Sequence, residues 1–340
     1  MADYKSYAAT CIEALQGWYN WDTGLWESTG WWNAANALHA VIDYASLTKR
    51  DSYHAVLANT FQRHERGKFL NHYYDDEGWW ALAWIRAFDL THEKYYLDMA
   101  ESIFSDMCTG WDDVCGGGLW WNKDRKYKNA ITNELFFSVA ARLFTCTGNE
   151  TYFNYAEDTW RWFQKSGLIN EQHLINDGLK DCHNNGQPTW TYNQGVILGA
   201  LIEMFGFYLN DGSNGESDIQ FIIEATHIAD ATIKSLTDQF GILADQGEEH
   251  ETGGDGPQFK GIFIRNLATL YHAIIIKAHM IAEPYRQFIF RNADSIWQNN
   301  RTEGSKFGLR WSGPVDKTDA ARQTSALEAF NAAISLDIPH

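Results

Sequence analysis

Basic residues are scarce in this 340-residue chain: 27 Lys and Arg stand against 44 Asp and Glu, a formal net charge of −17. Charge of that sign repels phosphates, which excludes nucleic acid and an acidic membrane face as partners and leaves a neutral polymer such as a polysaccharide open. Long apolar runs are missing as well. A membrane-spanning helix needs about 18 or more apolar residues, and the longest candidate, around 271–282, is interrupted by His272, Lys277 and His279. The five cysteines, Cys11, Cys108, Cys115, Cys146 and Cys182, contain no close CxxC pair, so their spacing gives neither a zinc site nor a thioredoxin-type centre. The histidines show no clustering of metal-ligand type, and neither metal nor cofactor is expected. No secretory leader opens the sequence: Met1-Ala2-Asp3-Tyr4-Lys5 runs straight into an amphipathic helix, as in a cytosolic protein or one whose leader has been removed.

Strand-like alternation is also rare, and helical periodicity takes its place. Helices are expected near 4–18, 32–48, 51–65, 79–90, 93–106, 132–146, 151–165, 191–208, 219–236, 259–281, 283–298 and 319–335. Two kinds alternate. One is amphipathic and charged, as in Glu93-Lys94-Tyr95-Tyr96-Leu97-Asp98-Met99-Ala100. The other is rich in Ala, Gly and aliphatic residues and starts from a polar or aromatic stretch, near Trp31-Trp32-Asn33, Asp75-Asp76-Glu77, Thr132-Asn133-Glu134, Tyr192-Asn193-Gln194, Gln258-Phe259-Lys260 and Arg322-Gln323-Thr324. Helices apolar on most sides belong inside a fold and amphipathic ones outside. The expected fold class is therefore all-α, an (α/α)6 barrel of six inner and six outer helices in a single domain over 1–340, with an open helical solenoid as the alternative.

The most unusual stretch is Tyr73-Tyr74-Asp75-Asp76-Glu77-Gly78-Trp79-Trp80, three carboxylates between paired aromatics. Neighbouring residues diverge in a regular helix, so a cleft shared by Asp75 and Asp76 calls for an irregular turn just before the helix. The plainer reading is that one aspartate caps that helix. Aromatic walls favour the functional reading, because flat rings suit the apolar faces of sugars, and the chain holds 16 Trp, 16 Tyr and 19 Phe. A barrel gathers the starts of its inner helices at one end, which brings Asn33, Asn133, Glu134, Asn193, Gln194, Phe259, Lys260 and Arg265 towards the aspartates as substrate-binding candidates. Trp31, Trp32, Tyr74, Trp79, Trp121 and Tyr192 are expected to line a groove. Duller roles are open to them: Asn133 as a cap, Gln194 on a buried backbone group, Lys260 and Arg265 paired with Glu248, Glu249 or Glu251, and the Trp pairs as core.

These pieces, with Cys115-Gly116-Gly117-Gly118-Leu119-Trp120-Trp121, Asn129-Ala130-Ile131-Thr132-Asn133-Glu134-Leu135, Thr191-Tyr192-Asn193-Gln194-Gly195 and Phe259-Lys260-Gly261-Ile262-Phe263, stand in an order that resembles glycoside hydrolase family 76, the endo-α-1,6-mannanases and related fungal cell-wall enzymes. The resemblance implies an (α/α)6 barrel, an α-mannan or oligomannoside substrate, and two consecutive catalytic aspartates, Asp75 as nucleophile and Asp76 as acid/base. Chemistry agrees: a retaining glycosidase needs two carboxyl groups about 5–5.5 Å apart, and adjacent residues meet that spacing more readily than the wider one of inverting enzymes. The charge of Asp75 would keep Asp76 protonated until the sugar esterifies Asp75. Transglycosylation on GPI-type glycans and a non-catalytic glycan-binding relative are the alternatives; an epimerase of the same fold is disfavoured because the histidines do not gather at the helix starts. A monomer is expected, secreted or at the cell surface, with the cytosol as the other case. Sequons at Asn149-Glu150-Thr151 and Asn300-Arg301-Thr302 and a disulfide between Cys108 and Cys115, flanking the Gly116–118 loop, accompany the secreted reading.

Overall fold

A computed structural model describes residues 2–210, 216–248, 254–275 and 279–337. Twelve α-helices lie among them: α1 (Tyr4–Gln16), α2 (Trp31–Thr48), α3 (His54–His64), α4 (Tyr74–Thr91), α5 (Lys94–Met107), α6 (Ala130–Thr147), α7 (Glu150–Ser166), α8 (Thr191–Asn210), α9 (Glu216–Ser235), α10 (Phe259–Ile275), α11 (His279–Asn299) and α12 (Ala320–Leu336). Two short antiparallel ribbons, β1 (Tyr19–Asn20) with β2 (Leu25–Trp26) and β3 (Leu179–Lys180) with β4 (His183–Asn184), sit in the connections. Five of the even-numbered helices begin within two residues of the expected starts, and α4 begins at Tyr74, five residues before the expected 79. The helix expected over 259–281 is described from Phe259 to Ile275, and 276–278 lie outside the described residues, as do Glu249 and Glu251.

The chain divides into two compact units, residues 65–232 and residues 1–64 with 233–340. In the first, α4 packs on α5 and α6, and α6 packs on α7 and α8. Helix α6 is buried on every side from Ala130 to Ala141, whereas α5 and α7 bury one stripe each, the inner and outer patterns respectively. Gly78 lets α4 approach α6, since a Cβ there would meet Leu135 Cβ at 2.8 Å. In the second unit α12 is the buried helix, packed on α1, α2, α10 and α11.

One device recurs at the helix starts. The fourth residue of α6, Asn133, accepts from the backbone N–H of Leu119 at 2.7 Å and donates to its carbonyl at 3.1 Å. The fourth residue of α8, Gln194, does the same to Ile175, at 2.8 and 2.9 Å. In α12 the fourth residue, Gln323, accepts from Phe307 N–H at 3.1 Å and donates to the Ser305 carbonyl at 3.1 Å. Each clamped loop closes on itself through a single antiparallel bridge: Trp111 with Leu119, Ile169 with Ile175, Arg301 with Phe307. A buried amide can satisfy both backbone groups of one residue, so these loops are seated without leaving unpaired polar atoms.

Three expectations need correction. Helix α4 begins at Tyr74, with Tyr73 as its cap residue, so Asp75 and Asp76 stand inside its first turn and not in an irregular turn before it. Acidic residues suit that turn because unsatisfied N–H groups make it electropositive. Cys115 is bonded to Cys182, not to Cys108, with Cα atoms 4.9 Å apart. The Cys115 backbone, at φ 59°, turns away from α5, and Cys108 remains a free thiol beside Tyr155, pushed up to about 11 by burial. Third, Asn300 of the second sequon is wholly buried, its amide bonded to Gly308 on both sides at 2.8 and 3.0 Å, and cannot carry a glycan in this fold. Asn149 is exposed at the cap of α7.

Candidate active site

Asp75 and Asp76 are the second and third residues of α4, both partly exposed, and each is held by a neighbouring loop. The indole N–H of Trp121 donates to Asp75 Oδ2 at 2.9 Å, and the backbone N–H of Asp76 donates to Asp75 Oδ1 at 3.1 Å. The Asn71 amide donates to Asp76 Oδ2 at 2.5 Å, and its oxygen is fixed by the N–H of Tyr73 at 2.7 Å. The 121–127 loop is tied to the start of α4 by the bond from Tyr74 N–H to the Trp121 carbonyl, 3.0 Å, and by the Tyr73–Asn122 bridge. Trp121 is therefore delivered to Asp75 by backbone pairing rather than by chance packing.

Burial, and behind it the charge of Asp76, push the Asp75 carboxyl well above the usual range; the Trp121 and backbone donors oppose the shift. Two like charges one residue apart disfavour ionising both carboxyl groups together, so the pair titrates as a unit. Glu77, the next residue, is fully buried and takes another role. It accepts from Lys123 at 2.9 Å and from the Asn71 N–H at 3.4 Å, and burial raises it to about 8 despite Lys123.

Around the aspartates, Tyr73 and Trp121 form a tilted pair with ring centres 5.0 Å apart, and Tyr127 meets Trp121 edge-on at 6.3 Å. The Tyr127 hydroxyl donates to Asp177 Oδ2 at 2.5 Å and accepts from Asn185 at 2.9 Å. Asp177 is raised by burial against the pull of Tyr127 and Trp190. Glu134 on α6 is fully buried, both carboxylate oxygens lack a hydrogen-bond partner in the structure, and burial followed by the Asp177 charge raises it well above the usual range. Asn193 on α8 is likewise buried with neither amide atom bonded.

The other candidates separate into two groups. Trp31, Trp32, Trp121 and Tyr192 are half-exposed. Tyr74 and Trp79 are each only 3% exposed and cannot stack on a ligand; the Tyr74 ring lies over Gly110, where a Cβ would come within 2.7 Å of it. Asn133 and Gln194 clamp loops, and Asn33 is buried in paired bonds with Gln258. Phe259 is buried against Trp32, whose indole N–H donates to Asp255 at 2.8 Å. Lys260 is buried on Glu248, and Arg265 on Glu328 at 2.5 Å. Asn71, Tyr127 and Asp177 were not singled out by sequence: Asn71 precedes the aspartates without a distinguishing pattern, and the other contacts arise only from folding.

A second structural anchor fixes the loop that carries Trp121. Lys128, buried, donates to Asp112 Oδ1 at 2.9 Å and to the carbonyls of Val114 and Gly117 at 2.7 and 2.8 Å. Its ammonium lies 4.8 Å over the Trp120 ring. Gly118, at φ 88°, leaves room for Trp162, which a Cβ would strike at 2.4 Å.

The profile of glycosyl hydrolase family 76 matches residues 3–338. Mannan endo-1,6-alpha-mannosidase DFG5 of Saccharomyces cerevisiae is 27% identical over 353 residues, covering 94% of this chain and 74% of that protein. Mannan endo-1,6-alpha-mannosidase DCW1 of Candida albicans is 28% identical over 232 residues, 61% of this chain, and this chain spans about half the length of that relative, 50%. Among solved structures, the GH76A alpha-1,6-mannanase from Salegentibacter sp. superposes with a TM-score of 0.86 at 24% identity, over 98% of this chain and 100% of its own. Dfg5 from Chaetomium thermophilum, solved in complex with glucosamine, gives a TM-score of 0.82 at 21% identity, over 98% and 90%. Likeness at these identities shows the fold, and the expected all-α class is the helical barrel these proteins share. The chain belongs to glycosyl hydrolase family 76.

Proposed function

We propose that the chain is a retaining, endo-acting α-1,6-mannanase, working as a single catalytic domain on α-mannan or oligomannosides with Asp75 and Asp76 as its catalytic pair. The observation that carries this reading is the pair itself: two carboxyl groups in one helix turn, Asp75 held by Trp121 and Asp76 by Asn71. Among the similar structures, a variant of the Salegentibacter mannanase with two consecutive aspartates replaced by alanine is described as inactive and holds α-1,6-mannotetrose. That supports the same pair here.

In the reactive form Asp75 is ionised and Asp76 holds the proton. A carboxylate oxygen of Asp75 attacks the anomeric carbon as the glycosidic bond breaks, and Asp76 gives its proton to the departing sugar oxygen. The ester removes the charge of Asp75, so the Asp76 carboxylate left behind becomes the base that takes a proton from water. Water then displaces Asp75, and the anomeric configuration is retained. The Trp121 N–H favours the ionised form of Asp75 that attacks and that is regenerated when the ester breaks. Glu134 and Asn193, buried without partners, are proposed to support the sugar-binding side of the site, and Trp121 and Tyr192 to offer stacking surfaces. The Cys115–Cys182 bond supports an oxidising compartment, hence a secreted or cell-surface location for this proposed monomer.

Asp75→Asn should abolish turnover on every mannoside while binding persists. Asp76→Asn should lose about 10²–10⁴-fold on mannan, which needs the acid, and less on an activated aryl mannoside. With that substrate the glycosyl-enzyme should accumulate, and azide should release it as a product of retained configuration. An inverted product, or near-normal activity of Asp75→Asn, refutes the mechanism. Transfer to a sugar acceptor is a second reading, favoured by one observation: the fold is shared by a Dfg5 that holds glucosamine. Oligomannoside incubated with an acceptor sugar separates the two, since transfer yields a longer product and hydrolysis only reducing ends.

A further inference from the structure

We propose that His173, Glu224 and His227 form a binding site for a divalent transition cation of zinc type, on residues unconnected with the aspartate pair. Sequence spacing gave no hint of it, because His173 stands 51 positions before Glu224 by number. Folding brings one ligand atom from each within 4.8 Å of the others, and His173 Nδ1 lies 3.7 Å from Glu224 Oε1. The two imidazole ring centres are 4.7 Å apart, inclined at 48°.

The chemistry of the set selects the ion. Two imidazoles and one carboxylate suit zinc, copper or nickel and are poor ligands for calcium or magnesium, which take oxygen. Bonds of about 2.0–2.1 Å to a tetrahedral zinc place its ligand atoms about 3.3 Å apart. The observed separations, up to 4.8 Å, must shorten by up to about 1.5 Å to close onto the ion. Three protein ligands leave the fourth position to water, the coordination of an open site.

Both halves of the site are held in place by the fold. Glu224 and His227 are three residues apart on α9 and therefore share a face of that helix. His173 sits at the tip of a tight turn, its backbone at φ 57°. There its N–H donates to the Asn170 carbonyl at 2.9 Å, while the Asn170 side chain accepts from Gln172 and Leu174 at 2.9 and 3.1 Å. This is the loop that Gln194 clamps at Ile175 and that continues into Asp177, the partner of Tyr127. An ion would tie that loop to α9.

The full chain, stripped with chelator and exchanged into a weakly coordinating buffer at about pH 7.5, is titrated with zinc chloride by calorimetry. One saturable site is expected, with zinc raising the melting temperature. His173→Ala and His227→Ala should each weaken binding by about 10-fold or more and remove the zinc-dependent rise, while melting like the native chain in its absence. Glu224→Gln, which preserves shape, gives the same answer should either alanine variant melt early. No saturable binding, or a site of unchanged affinity in all three variants, overturns the proposal.

Discussion

At the start of α10, Lys260 is fully buried with its ammonium on Glu248 and on the Leu309 carbonyl, 2.7 Å away, and Arg265 a turn later rests on Glu328 and on Asn36. At the start of α4, Asp75 is held by an indole and a backbone N–H and faces the carboxylate of Asp76. Both turns bring charge to the first turns of an inner-type helix. In α10 each cation meets an anion, so the charge is consumed by the fold. In α4 a like charge is set beside Asp75, and the two donors that hold Asp75, the Trp121 indole and the Asp76 backbone N–H, are neutral. A buried pair of opposite charges is costly to break, whereas like charges held together are costly to keep, and their proton is easily exchanged. Matched charge marks architecture and crowded charge marks chemistry.

The sharpest way to break this comparison is to remove one charge from each turn. Asp75→Asn should reduce kcat on mannan by more than the 10²–10⁴-fold expected for Asp76→Asn, yet leave the melting temperature level or higher, since it relieves repulsion. Lys260→Met should do the reverse, losing about 3–5 kcal/mol of stability because Glu248 is left buried alone, with kcat per folded molecule nearly unchanged. Loss of activity in Lys260→Met without loss of stability would end the distinction. Next in size is the disulfide. Reduction, or Cys115→Ser with Cys182→Ser, should cost about 4 kcal/mol in urea melts, because the bond spans 67 residues, whereas Cys108→Ser should cost far less.

Smaller effects probe the neutral donors. Trp121→Phe keeps a ring but removes the N–H on Asp75, a charge-assisted bond worth about 1.5–3 kcal/mol. It should lower kcat about 10-fold or more and move the acid limb of the pH–rate profile to higher pH, since Asp75 then ionises later. Smallest is Glu134→Gln. Because the folded-state acid is raised, the stability it contributes is complete below the ordinary carboxyl range and is lost as pH rises towards the folded value. The native chain should therefore lose stability relative to Glu134→Gln on going from about pH 5 to about pH 7. Parallel urea melts at the two pH values read this directly.

Much of the fold was legible because helix periodicity is a local signal, and the six inner-type helices were marked by their own composition. The start of α4 was misplaced because Tyr-Asp-Asp-Glu reads as a loop until the electropositive first turn is counted. Cys115 found Cys182 and not Cys108 because pairing depends on where the loop turns, a matter 67 residues of intervening chain decide. The amides Asn133 and Gln194 looked like ligand contacts since nothing in sequence distinguishes a side chain aimed at sugar from one aimed at backbone. For the same reason Lys260 and Arg265 looked functional until Glu248 and Glu328 were in view.

The clamps made by Asn133, Gln194 and Gln323 have a consequence for how such a chain can vary. In the clamped loops each grips main-chain atoms, at Leu119, Ile175, Ser305 and Phe307. A loop gripped in this way keeps its seat whatever side chains it displays, because the amide reads no residue identity. Sequence around His173 or Lys306 is thereby relieved of part of the duty of holding the loop in place, whereas Trp120 keeps it through Asp112 and Lys128. Drift at His173 or Lys306 can change what the loop displays while the helices beneath stay as they are. Three glutamine or asparagine residues separate the part of the molecule that must be inherited intact from the part that selection can rewrite.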